Sequence, residues 1–327
     1  MSISTKPSFI RWVESIVDFL TIQFEIQSNT KNREVSTMIQ FSKSIQAVVV
    51  CVLTLVFTAN VAFAQNTMTP DPDSPNPITG KETLFLEQMT WMEVRDAMAA
   101  GKNSVIIATG GVEQNGPYME SGAHQLIVGA IAQRIAEKLG NALIAPIISY
   151  VPEGDIDPPT GHMLYPSTLS VSEETFQAII SDAANSLRVH GFENIILIGD
   201  SGGNQRGMNA VANKLTEQWS GEKNQFGKLP RIHFIGQYYD NARWNQWLAD
   251  QGYVEVDEDI HDDLRHESIL MAVDPEAIRL EQRKAAGLAS INSVSLLSEN
   301  EIAQLGERLI DFHADVAVSA IETAISN

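Results

Sequence analysis

Four apolar runs, Ser104–Ala108, Ala142–Ile148, Ile195–Ile198 and Arg231–Ile235, alternate along the chain with stretches whose apolar residues recur at helical spacing. The runs are apolar without a break, where a half-exposed strand would alternate apolar with polar. Such strands bury both faces, which points to a mostly parallel sheet with helices on either side. The intervening segments carry the matching signals. Thr90 and Glu93 form a capping box that opens a helix through Ala99, with Gly101 as its stop; Ile127, Val128, Ile131, Ile135 and Leu139 make an apolar stripe ending at Gly140. Ser170 with Glu173 opens a helix carrying Phe176, Ile179, Ile180 and Leu187 and ending at Gly191; further helices are read from about Gly207 to Trp219 and from Ser298 to Ile325. The fold class that follows is α/β, a three-layer α/β/α arrangement. In such a sheet ligands collect where strands end, so the loops that begin at Thr109, Ser149, Gly199 and Gly236 are the ones to inspect.

The 327 residues do not all belong to that domain. Lys43, the apolar run Ile45–Phe57 and the triplet Ala62-Phe63-Ala64 before Gln65 have the order of an export signal with its cleavage site. Residues 38–64 are therefore read as a signal peptide, and residues 1–37 as an over-extended start upstream of Met38. Residues 65–81, rich in Pro, Asp, Asn and Thr, read as a linker, and 82–327 as the folded domain. A periplasmic or secreted location is the expectation, with no membrane contact once the signal is removed. The one cysteine, Cys51, lies inside the signal, so the domain has no thiol for a disulfide, a zinc-thiolate site or a nucleophile. Residues 1–64 hold five Lys/Arg and four Asp/Glu; removing that one positive charge from the whole-chain −19 leaves about −20. A charge of that sign argues against nucleic acid as a partner and leaves a small molecule as the expected one.

The chemistry-bearing residues lie where the strands end. The first loop reads Thr109-Gly-Gly-Val-Glu-Gln-Asn-Gly-Pro-Tyr-Met-Glu-Ser-Gly-Ala-His124 and places Glu113 and His124 between a strand and a helix. Gly161-His-Met-Leu-Tyr-Pro-Ser-Thr-Leu169 follows, with His162 in reach of the strand ends. Gly199-Asp-Ser-Gly-Gly-Asn204 ends the third strand, and Ile260-His-Asp-Asp-Leu-Arg-His-Glu-Ser268 comes later. These four segments, in this order, resemble the four conserved stretches of the creatininase (creatinine amidohydrolase) family, and the resemblance runs from about residue 84 to 325. It implies the α/β fold, an amidohydrolase acting on a small amide or cyclic amide C–N bond, a compact homo-oligomer, and two divalent metals. The family's ligand positions fall here on Glu113, Asn115, His124, Ser201 and Gly203, of which Glu113 alone keeps its residue type.

Amide and hydroxyl groups are weak ligands for a borderline metal, so the family's two-metal site is not expected intact. The residues instead point to one ion, Zn, Mn or Fe, held by Glu113, His124, Asp200 and His261, with an open position for amide hydrolysis. Glu113, Ser201, His261 and His266 are the candidate catalytic residues. A second chemistry stays open, because Gly199-Asp-Ser201-Gly-Gly203 fits G-x-S-x-G between strand and helix, with Asp240, His261 and His266 following in triad order. A third reading is a periplasmic small-molecule binder without turnover. Trp244 and Trp247, after Tyr238 and Tyr239, are read as packing residues or an apolar wall for substrate. His190, His233 and His313 are read as scaffold, and Asp257–Asp263 as a solvated acidic loop.

Overall fold

The computed structural model describes residues 70–78, 80–255 and 263–326. The chain divides into two compact units at Pro75. Of the first, residues 70–75 are described, and they make a turn in which the Ser74 N–H donates to the Asp71 carbonyl. The segments read as an over-extended start and a signal peptide lie outside the described residues. The second unit begins at Asn76, earlier than the residue 82 read from composition. Its first residues are tied to the helix α1 (Trp91–Ala99): the Asn76 amide donates to Asp96, and the Lys81 N–H donates to Glu93. The same Glu93 completes the capping box with Thr90. Among the described residues no helix is long and apolar enough to cross a membrane.

Four parallel strands form the sheet, β1 (Ser104–Thr109), β2 (Ala142–Ile144), β3 (Asn194–Gly199) and β4 (Arg231–Phe234), in the order β2-β1-β3-β4. The register pairs Ser104 with both Ala142 and Asn194, and Asn194 with Arg231. The chain runs from β1 outward to β2, returns across β1 to β3 and continues to β4. The order thus reverses between β1 and β3, and their ends form the crevice of an open α/β sheet.

The unbroken apolar runs have a direct structural cause. Val105, Ile107, Ile195 and Leu197 point to one side and pack on Phe176 and Ile180 of α3 (Glu173–His190) and on Met208, Val211 and Leu215 of α4 (Gly202–Gln218). Ile106, Ala108, Ile196 and Ile198 point to the other side. There they meet Ile127, Ile131 and Ile135 of α2 (Ala123–Leu139), Leu264 and Ile269 of α6 (Leu264–Val273), and Leu305 and Leu309 of α8 (Glu299–Ser326). Each such aliphatic side chain contributes roughly 1.5–3 kcal/mol by leaving water. Between these helices come α5 (Asn241–Asp250), α7 (Leu280–Ala286) and a small hairpin of β5 (Ser290–Ile291) and β6 (Val294–Ser295).

One helix crossing is unusually close. A Cβ built on Gly306 of α8 would lie 1.9 Å from the Ser268 carbonyl oxygen of α6, so no side chain fits there. The helix that carries Arg265 and His266 is thereby seated directly on the backbone of α8.

Several boundaries differ from the sequence reading. The cap of α3 is Ser172, which accepts the Thr175 N–H; Ser170 instead accepts the Glu153 N–H and donates to the Gly154 carbonyl. Helix α4 starts at Gly202 rather than near Gly207, because tertiary packing outweighs the low helix propensity of the two glycines. Strand β2 stops at Ile144, before Pro146, which has no N–H for a ladder; a single bridge from Thr109 to Ile148 resumes beyond it. Of the acidic run Asp257–Asp263, only Asp263 is described. It is no solvated loop residue: it caps α6, accepting both the His266 N–H and the His266 ring.

Candidate active site

Loops leaving β1 and β3, the 152–162 segment and the start of α6 enclose a cavity of about 350 Å³ lined by Glu113, His124, Glu153, His162, Asp200, Ser201, Tyr239, Arg265 and His266, among others. A larger groove of about 650 Å³ runs between β4 and α8, but no acid–imidazole cluster lines it. Size therefore does not identify the site here, and the chemistry does.

At the centre lies a buried line of acids around one imidazole. His124, in the first turn of α2, faces Glu113 Oε1 with Nε2 at 2.6 Å and Asp200 Oδ2 with Nδ1 at 2.8 Å. All three residues are 4% exposed or less. Burial alone would lower the pKa of His124, but the hydrogen bonds to and charges of Asp200 and Glu113 outweigh it and raise it to about 10. His124 is then an imidazolium at neutral pH. For Asp200, burial is again the largest influence and acts upward; the His124 hydrogen bond and charge, helped by His266 and Arg265, hold it below its ordinary value. The Tyr238 hydroxyl donates to the other Asp200 oxygen at 3.1 Å.

Glu153 is the second acid pressed against Glu113. Burial first, then a shared hydrogen bond and the charge of Glu113, push its carboxyl up to about 9, so it keeps its proton at pH 7. His162 stands over the pair with Nε2 3.5 Å from Glu113 Oε2, its Nδ1 near the Gln114 amide at 3.3 Å. On the far side His266 sets its ring edge against His124, with centroids 5.2 Å apart. Its Nδ1 lies 2.6 Å from Asp263 and its Nε2 3.3 Å from Arg265. Burial, with the Arg265 charge and against the pull of Asp263, takes the pKa of His266 down to about 4, so this ring is neutral.

The donor set fits one divalent ion. His124, Asp200 and His266 each offer one ligand atom, all within 4.8 Å of one another. Each histidine also has an acid on its other nitrogen, Glu113 behind His124 and Asp263 behind His266, the arrangement that orients metal-bound imidazoles. An ion here would take Nδ1 of His124 from its proton and Nε2 of His266 from Arg265. Among the described residues the set does not fit two ions. Asn115 turns its amide to the Glu113 and Glu120 carbonyls and braces the loop. At Gly203 a Cβ would lie 2.5 Å from the Pro152 carbonyl oxygen, so backbone fills the space a side chain would need.

The residues expected from sequence are thus largely brought together: Glu113, His124, Asp200, Ser201 and His266 share the pocket. Glu113 stands behind His124 rather than in the group of three, which His266 completes; His261 lies outside the described residues. The serine arrangement is not assembled among the described residues. Ser201 has ordinary extended torsions of φ −130° and ψ 147°, and the nitrogens of His124 and His266 are turned to acids and to Arg265. Asp240 caps α5 by accepting the Arg243 N–H. Of the two readings for the aromatic residues, packing fits the tryptophans: Trp244 is buried against His313 with rings 4.0 Å apart and Trp247 stacks on Phe312, while Tyr239 lines the pocket. Sequence reading missed Glu153 and Arg265. The first lies in the loop flagged after Ser149, and the second is the neighbour of His266.

Comparison with known proteins gives a consistent picture. The creatinine amidohydrolase family model matches residues 87–318. A creatinine amidohydrolase of Pseudomonas putida is 27% identical over 117 residues, 36% of this chain and 44% of that protein, so the match spans less than half the length of this relative. Among solved structures, a tryptophan-to-alanine variant of creatininase superposes with a TM-score of 0.55 at 20% identity, covering 74% of this chain and 99% of the other. A glutamate-to-glutamine variant of creatininase in its zinc–zinc form gives 0.52 at 22%, covering 75% and 98%, and a manganese form of creatininase is also similar. With the family model spanning most of the domain and the α/β frame shared, the chain belongs to the creatininase family.

Proposed function

We propose that the chain is an amidohydrolase that opens a C–N bond of a small amide or cyclic amide with the help of one divalent ion. The observation that carries this reading is the buried line Glu113–His124–Asp200 with His266 beside it, set at the ends of β1 and β3 in the loops that resemble the family's motifs. His124, Asp200 and His266 would hold the ion; bound there, it would act as a Lewis acid on the substrate carbonyl.

The side chains supply the rest. Glu113 keeps Nε2 of His124 protonated and oriented, leaving Nδ1 on the pocket side. Its second oxygen, Oε2, faces His162 at the cavity and can accept a proton from the attacking water. Glu153 carries a proton beside it and can hand that proton to the leaving nitrogen as the C–N bond breaks. One proton taken by Glu113 and one given by Glu153 leave the pair with its single proton, and transfer of that proton from Glu113 back to Glu153 restores the starting state. The Ser201 hydroxyl, at the head of α4, is placed to hydrogen-bond substrate or water.

The charged start at Lys43, the apolar run Ile45–Phe57 and Ala62-Phe63-Ala64 support export to the periplasm or beyond, and family membership supports a homo-oligomer. The test is hydrolysis of a panel of small amides and cyclic amides by the purified protein, with and without zinc or manganese. Turnover that needs the ion and falls at least 100-fold in Glu113→Gln is expected. Ligand-induced stabilisation with no hydrolysis of any member would refute the enzyme reading and leave a binding protein.

A further inference from the structure

Two guanidinium groups are largely withdrawn from water, Arg265 on α6 and Arg283 on α7, and they are used differently. Arg283, 3% exposed, is fully engaged: it donates to Glu267 at 2.5 Å and to the Leu288 carbonyl at 3.2 Å. Arg265, 12% exposed, lines the cavity instead. Its Nη1 donates to the Asn241 side chain at 3.0 Å, Nη2 lies 3.3 Å from His266 Nε2, and its face rests on Trp244 at 4.5 Å. Among the described residues its nearest acid, Asp263, stands 4.0 Å away and is already taken by the His266 backbone N–H at 2.8 Å and ring at 2.6 Å. Glu113 and Asp200 turn their oxygens to His124 instead, and the Arg265 charge reaches Asp200 only through space. A buried cation is costly unless paired, and a guanidinium has five N–H groups in a fork that matches a carboxylate.

We propose that Arg265 is the substrate's anion anchor, so that the molecule this pocket takes is a small amide or cyclic amide that carries a carboxylate. The inference rests on the amidohydrolase reading for the reacting bond, but the anchor itself is a statement about binding. Trp244 holds the guanidinium plane from behind and Asn241 holds one end, so the fork is oriented before substrate arrives. A cavity of about 350 Å³ limits the partner to a small molecule. The anchor lies beside His266, which places the carboxylate at one end of the molecule and the amide toward Glu113 and Glu153.

The test is calorimetric binding to the whole protein of matched probes that differ in charge: 5-oxoproline against 2-pyrrolidinone, and N-acetylglycine against N-ethylacetamide. The carboxylate member of at least one pair should bind tenfold or more tightly. Arg265→Met should erase that preference by weakening the acid member tenfold or more relative to the neutral one, and Arg265→Lys, which keeps charge but loses the fork, should fall between. Equal binding of both members, equal weakening of both by Arg265→Met, or no binding of either acid at 10 mM would overturn the proposal; should the Met variant not fold, the Lys variant decides by the same comparison. Hydrolysis of each probe is followed separately. Charge-selective binding without turnover would retain the anchor and remove the enzyme reading, whereas turnover without charge preference would do the reverse.

Discussion

Loading the pocket with a divalent ion should expel a proton from His124, and the affinity should therefore climb with pH. Both His124 nitrogens face acids, and its pKa is raised to about 10 by Asp200 and Glu113 against the opposing effect of burial. An ion can take Nδ1 only after that proton leaves. Each pH unit below 10 then costs about 1.4 kcal/mol of binding free energy, so at pH 7.5 the ion binds roughly 300-fold more weakly than it would to the neutral ring. The other two ligands add little to this slope. His266 titrates near pH 4, and Asp200 lies below its ordinary range, so both are ready for an ion throughout neutral pH. Manganese titrated by calorimetry between pH 6.5 and 8.5 should gain about 100-fold in affinity, and heats in buffers of different ionisation enthalpy should report close to one proton released per ion. An affinity that stays level over this range, with no buffer dependence, would show that His124 is not both a ligand and an imidazolium, and the charge assignment at the centre of the pocket would fail.

Chelator-treated protein should lose stability as pH rises. For His124 the folded pKa lies above the ordinary value, so its contribution is full below 6.5 and lost on the way to about 10; Glu153, an acid raised to about 9, acts in the same direction between 4.5 and 9. Urea midpoints should fall from pH 7 to pH 9, and Glu153→Gln should make the fall shallower; a flat profile would contradict both assignments. Gly203→Ala should destabilise the chain by about 1–3 kcal/mol and reduce activity, since its Cβ would meet the Pro152 carbonyl at 2.5 Å; an unchanged denaturation midpoint would mean the 152 loop yields freely. Ser201→Ala should lower activity less than tenfold, and a fluorophosphonate should not label the wild-type protein; labelling would restore the serine mechanism.

The sheet could be read from sequence because its physical cause is local: runs such as Ile195–Ile198 are apolar on every residue since both faces are covered. The meeting of Glu113, His124 and Asp200 was legible for a related reason, as loops after neighbouring parallel strands must share one edge. What the sequence did not show depends on long-range geometry. Glu153 sits among ordinary loop residues, and only the proximity of Glu113 makes it a proton carrier. In the sequence Arg265 is one charged residue beside a histidine, and its role appears when Trp244 and Asn241 are seen to hold it. Ser201 had the right letters around it, but His124 has an acid on each nitrogen, and His266, with Asp263 on one, has Arg265 on the other where a triad would have the serine.

The contact of Gly306 with the Ser268 carbonyl carries a consequence for how this site can change over generations. Gly306 is not among the residues that line the pocket, yet it sets the depth at which the helix bearing Arg265 and His266 lies. Pocket side chains can be exchanged singly while that seat is kept. The seat itself cannot drift by small steps, because alanine, the smallest step available, already places an atom inside the neighbouring backbone. A saturation scan scored on pocket function should therefore show a sharply intolerant position in the middle of a helix remote from the chemistry, flanked by tolerant outward-facing neighbours such as Glu307 and Arg308.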